Sequence, residues 1–77
     1  MSYIITVCED VQNNMIVDIS KKGNRYTVNL WHRATGKSAH KEFDNLQGAF
    51  ELFTEMSQYF VYGLYTIQDR FEKFRED

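Results

Sequence analysis

Three runs of alternating apolar and polar residues, followed at Asp44 by an abrupt change to helical spacing, restrict this chain to a sheet with a helix laid on it. Met15, Val17 and Ile19 alternate with Ile16, Asp18 and Ser20. Tyr26, Val28, Leu30 and His32 alternate with Arg25, Thr27, Asn29 and Trp31, and Ala39, Lys41 and Phe43 with Ser38, His40 and Glu42. Successive side chains on a strand point to opposite faces, so each run describes a strand with one face against a core. Lys21-Lys22-Gly23-Asn24 and Arg33-Ala34-Thr35-Gly36 separate the runs with residues that tolerate positive φ, as hairpin turns require. Upstream, Tyr3 to Cys8 is a β-branched and aromatic stretch that reads as a further strand, and the polar residues after it read as a loop. The expectation is an α+β chain opening on an antiparallel meander of about four strands, near residues 3–8, 15–20, 25–32 and 37–43.

Asp44 stands where an N-cap is wanted and Gln47 follows three residues later, an approximate capping box. From there Leu46, Phe50, Phe53, Ser57, Phe60, Leu64, Ile67, Phe71 and Phe74 recur at spacings of three and four, one apolar stripe with Ser57 its polar member, widened in its first half by Leu52, Met56 and Tyr59. Leu30 and Phe50 are expected to be among the most buried residues. An unbroken helix over 45–76 would run roughly 48 Å at 1.5 Å per residue, whereas strands of this length span ~17–20 Å. The helix outruns its sheet. Either it breaks near Gly63, where glycine costs ~1 kcal/mol, and returns on itself, or the overhang carrying Phe71 and Phe74 pairs with a second copy as a homodimer.

Seventy-seven residues hold one core, so residues 1–77 are read as a single domain whose net stability is ~3–5 kcal/mol. A hydrophobic fraction of 43% and an aromatic fraction of 16% are too high for a disordered chain. Cys8 stands alone and cannot form an internal disulfide, and no basic-then-apolar leader or long apolar run occurs. A cytoplasmic location with no membrane role is expected.

Candidate chemistry is sparse. His32 and His40 fall near the ends of adjacent strands but have no Cys, Asp or Glu at ligand spacing, so ordinary sheet histidines are expected in place of a metal site. Cys8 is followed by Glu9 and Asp10, which disfavour a thiolate, and reads as structural. Glu51 and Glu55 share a helix face that is most simply solvated. No glycine-rich phosphate loop, Gly-x-Ser-x-Gly elbow or His-Glu-x-x-His helix is present, so no catalytic residue, metal or cofactor is assigned and the chain is read as a non-enzyme.

Charge placement is more informative. Lys21, Lys22, Arg25, Arg33, Lys37 and Lys41 crowd residues 21–41 without an acid, whereas residues 42–69 hold Glu42, Asp44, Glu51, Glu55 and Asp69 without a base. That pattern predicts a basic sheet edge and an acidic helix. If Tyr26, Val28 and Leu30 face the helix, Trp31 lies on the opposite face with Arg25, Thr27 and Asn29, and an exposed Trp among polar residues marks an interaction hot spot. The expected partner-binding set is Arg25, Asn29, Trp31, Arg33 and Lys37.

Two resemblances bear on the partner. Gly23 to Phe43, with a basic strand, Trp31, Thr35-Gly36-Lys37 at the turn and Phe43 before the helix, resembles the β-β-β-α DNA-binding modules at the N-termini of tyrosine recombinases, related to the plant AP2 type. That resemblance covers under half of the chain and implies a sheet whose basic and aromatic residues lie in the major groove. In size and character the whole chain resembles the small accessory proteins of phages and mobile elements, including anti-CRISPR inhibitors. A protein-binding or inhibitory role through the outer sheet is the first expectation and nucleic-acid binding the alternative. The net charge of −2 and pI near 5.6 favour the former, because dedicated nucleic-acid binders usually exceed ~9.

Overall fold

The computed structural model describes residues 1–76 and shows an α+β fold. Strands β1 (Ser2–Asp10), β2 (Met15–Lys22), β3 (Arg25–His32) and β4 (Ser38–Phe43) form one antiparallel sheet in the order β1-β2-β3-β4, followed by helices α1 (Leu46–Tyr62) and α2 (Ile67–Arg75). The register pairs Met15 with His32, Val17 with Leu30 and Ile19 with Val28, placing the alternating apolar residues of both strands on one face. There Met15, Val17, Ile19, Val28 and Leu30 are buried beneath Ala49, Phe53, Met56 and Phe60 of α1 and Phe71 and Phe74 of α2.

The turns follow from local chemistry. Gly23, at φ 60°, lies first in the two-residue loop between the paired Lys22 and Arg25, the position where a type II′ turn needs a residue without a Cβ. β1 continues to Asp10, two residues beyond the expected end at Cys8. Asp10 accepts from the backbone and side-chain N–H groups of Asn13 at 3.2 and 2.9 Å, which closes the turn into β2. Asn45, not Asp44, caps α1: its Oδ1 accepts from Gly48 N at 2.8 Å, while Asp44 sits 3.7 Å from Arg25.

Of the two expected outcomes for the helical region, the break near Gly63 is the one the structure shows. Gly63 takes the left-handed conformation (φ 66°, ψ 35°), and its N–H and that of Leu64 both donate to Tyr59 O, the hydrogen-bonding that closes a helix end. Thr66 then caps α2 by accepting from Asp69 N at 3.0 Å. Phe71 and Phe74, expected either to return on the sheet or to bind a second copy, are fully buried within the chain's own core. The motive for a dimer through the C-terminal helix therefore falls away.

α1 is also rotated relative to the expected stripe. Its buried line is Ala49, Phe53, Met56 and Phe60, and Phe50, expected in the core, is 51% exposed. The packing that buries Ala49 brings Gly48 close to Phe43. A Cβ on Gly48 would stand 2.9 Å from the Phe43 ring, so the helix approaches the end of β4 on its glycine side, with Phe50 turned outward.

Arg70 ties the two helices to the sheet. Fully buried, it donates from Nη1 to Asp10 Oδ2 at 2.7 Å, from Nη2 to Tyr59 O at 3.2 Å and from Nε to Leu64 O at 2.9 Å, and lies 5.3 Å from the Phe60 ring centre. Burial pushes the Asp10 carboxyl up, but the hydrogen bonds from Asn13 and Arg70, together with the guanidinium charge, outweigh it and hold the group below its ordinary value.

Met56→Ala should cost roughly 2–5 kcal/mol in urea denaturation, whereas Phe50→Ala should cost well under half as much, because only buried atoms leave a cavity. Arg70→Ala strands a buried carboxylate and should cost roughly 3–5 kcal/mol, about the whole stability of a domain this small. The pH response has a fixed sign. A carboxyl with a lowered folded pKa stabilises the fold above the ordinary carboxylate pKa, and that share is lost as pH falls through the lowered value. Acid titration of the unfolding midpoint should show this loss in the wild type and a shallower one in Asp10→Asn.

Candidate functional site

Both helices lie on one face of the sheet, and among the described residues no element covers the other. The register lays out that open face as rows. Glu9, Ile16, Trp31 and Ser38 form the first, across β1 to β4. Val7, Asp18, Asn29 and His40 form the second, and Ile4, Ser20, Thr27 and Glu42 the third. Ser2, Lys22 and Arg25 close the far end.

Trp31 is 45% exposed, between the half-buried Ile16 and the exposed Ser38. Asn29 lies one row away, donating from Nδ2 to Asp18 Oδ1 at 2.8 Å and Ser20 Oγ at 3.2 Å, so the middle of the face is a fixed polar patch. Arg25 pairs with Glu42 at 3.0 Å and with Asp44 at 3.7 Å. Arg33, just past β3, pairs with Glu9 at 3.2 Å, and its backbone N–H donates to Asn14 O at 2.8 Å. Exposed ion pairs of this kind contribute little to stability, and they fix the direction of the arginine side chains.

Four of the five expected partner-binding residues, Arg25, Asn29, Trp31 and Arg33, thus share one surface. Lys37 does not: its Nζ lies 4.7 Å from the centre of the buried Phe71 ring, on the helix side. A lysine in a turn is free of the strand alternation, and the aromatic ring attracts its ammonium. Lys41 also belongs to the helix side, donating to Glu76 O, and Lys21 lies over the Tyr26 ring. The predicted basic edge is therefore divided between two faces. The open face carries Lys22, Arg25 and Arg33 against Glu9, Asp18, Glu42 and Asp44, three cations to four carboxylates.

The two histidines occupy opposite faces. His32 is buried on the helix side with its Nδ1 2.8 Å from Thr35 Oγ1, whereas His40 stands opposite Asn29 on the open face. Among the described residues no group of three metal-ligating side chains is assembled. Tyr59 donates to Glu55 on the helix side, and burial together with this carboxylate raises its phenol well above the ordinary value.

Two parts of the surface escaped the sequence. Ile4 and Val7 of β1 lie on the open face, 62% and 55% exposed, and add apolar surface on the edge strand two rows and one row, respectively, from Ile16 and Trp31. Their pairing partners were needed to assign them, because β1 shows no alternation of its own. On α1, Phe50 and Val61 are exposed apolar residues about three turns apart, with Thr54 and Gln58 between them.

No protein-family model, curated protein or solved structure matches the chain. Among the described residues, no helix is long and apolar enough to cross a membrane.

Proposed function

We propose that this chain is a small non-enzymatic binding protein that docks a protein partner on its open sheet face, with Trp31 as the anchor. The observation that carries the proposal is a half-exposed Trp31 next to Ile16 on a sheet face left uncovered, with the exposed Val7 and Ile4 one and two rows away on β1. Tryptophan and arginine dominate interface energies out of proportion to their number. Here Trp31 supplies the apolar area, while Asn29 and Arg33 offer groups already held in place by Asp18 and Glu9. Preorganised side chains lose less entropy on association than free ones.

The charge on this face favours protein over nucleic acid. Phosphate recognition needs unbalanced cations, and both arginines are matched by carboxylates. Docking of this kind makes the chain an inhibitor where the partner's covered surface is its working surface. That would place it with the small phage-encoded accessory proteins whose size and character it resembles, acting in the cytoplasm.

The test is co-purification from the native host with tagged wild type and Trp31→Ala, each eluate analysed by mass spectrometry. The wild type should retain a protein that Trp31→Ala holds at least about tenfold more weakly, with the unfolding midpoint unchanged. Raising salt from about 50 to 200 mM should leave most of the complex intact, whereas a phosphate-bound complex would lose affinity by orders of magnitude. Equal retention by Trp31→Ala overturns the sheet-face proposal and moves attention to Phe50 and Val61 on α1.

A further inference from the structure

The two edges of the sheet are built differently. β4 is six residues long and carries His40, Lys41 and Glu42, the combination of shortness and charge that discourages a further strand from pairing. β1 is nine residues long, and from Ser2 to Cys8 it has no charged side chain and no proline. Its far side has no neighbouring strand among the described residues, so half of its backbone N–H and C=O groups face outward. Tyr3, Ile4 and Val7 are more than half exposed. Ile4 and Val7 flank the edge on the open face, and Tyr3, paired with Lys21, flanks it on the helix side. The register slips between Ile4 and Thr6, leaving Ile5 without a counterpart on β2 and also exposed. Bulges increase the local twist, and this one is not accompanied by the charge that usually completes the protection of an edge.

We propose that the β1 edge is the interface for a second copy of this chain. The two β1 strands pair antiparallel about a two-fold axis, joining two four-stranded sheets into one of eight. The charge at the ends of the strand selects both partner and direction. Glu9, whose half-exposed carboxylate also meets Arg33 at 3.2 Å, stands at one end, and at the other Ser2 and Tyr3 lie beside Lys22 and Lys21 of β2. Antiparallel pairing sets the acidic end of each copy against the basic end of the other, with the uncharged centres together; parallel pairing would set like charges side by side. A strand acidic at one end and basic at the other is self-complementary under a two-fold, as an isologous interface must be. Each partner backbone supplies the outward N–H and C=O groups, and the four exposed Ile4 and Val7 side chains come together in cross-strand contact. This interface is independent of the partner proposed for Trp31, and the joined sheet would present two Trp31 faces on one side.

Sedimentation velocity from ~1 µM to ~1 mM covers the range over which a moderate dimer changes population. The wild type should rise from its monomer mass of 9.2 kDa toward twice that value. Ile4→Lys and Val7→Lys should remain monomeric throughout, with the wild-type melting temperature at the dilute end. Trp31→Ala should dimerise like the wild type, so failure of the edge and failure of the Trp31 face are read separately. Hydrogen exchange should show β1 amides gaining protection with concentration while β4 amides do not. In a Cys8→Ser background, Ser2→Cys mixed with Glu9→Cys should form disulfides between the two variants faster than either forms with itself. The proposal is overturned by a monomer across the whole range, by a dimer that both lysine variants leave intact, or by preferential like-with-like cross-linking. A monomer whose β1 amides become protected only on binding another protein overturns it equally, giving the edge to a foreign strand.

Discussion

One guanidinium group holds the ends of four elements in place. Arg70 reaches Asp10 at the close of β1, the carbonyl of Tyr59 in the last turn of α1, the carbonyl of Leu64 in the connection and the sulfur of Met15 at the start of β2. The arrangement answers a specific difficulty. A helix end buried against a sheet leaves carbonyls without partners, and a sharp turn between helices adds more. A planar cation with five donors can serve several of them at once, provided a carboxylate accompanies it. Asp10 does so, and is itself oriented by Asn13. Removing either member leaves the other buried and uncompensated, which is why a pair that adds little net stability is costly to break.

With that join made, the short α2 covers what α1 cannot. A 17-residue helix laid across the strands leaves part of the sheet to be protected, and Phe71 and Phe74 complete the core there. All the large buried side chains then belong to one face of the sheet. The other face keeps Trp31, Ile16, Val7 and Ile4 among polar neighbours. Among the described residues no third layer covers them, and an apolar area exposed on one side of a two-layer fold is a usual place for a partner.

Charge is distributed differently in space than along the chain. The six bases of residues 21–41 are consecutive enough to imply a basic surface, yet alternation sends Lys21 and Lys41 to the helix side and Lys22 and Arg25 to the open face. Lys37 joins the helix side through the Phe71 ring, and Arg33 is met by Glu9 from the edge strand β1. The open face is balanced because β1 brings an acid that lies twenty-four positions before its basic partner. No local count of charges contains that pairing.

Much of the fold is legible from one residue to the next. Alternation in β2, β3 and β4, the positive-φ demand at Gly23, and the change of period after Phe43 are local, and each follows from backbone geometry or side-chain direction within a few residues. They determined the meander, the start of the helical region and the separation of Trp31 from Val28 and Leu30. The C-terminal stripe was equally plain, and Gly63 marked where it could turn. The tertiary structure decided the rest. Phe50 and Ala49 differ by one step of about 100° around the helix axis, and the packing that buries Ala49 brings Gly48 so close to Phe43 that a side chain there would clash. No local pattern singles out Arg70, whose role appears only when Asp10, sixty residues away, is brought within 2.7 Å of it. Local periodicity says which side of an element is apolar; which groups meet across the core depends on the register and rotation of elements against each other, and these are settled by packing.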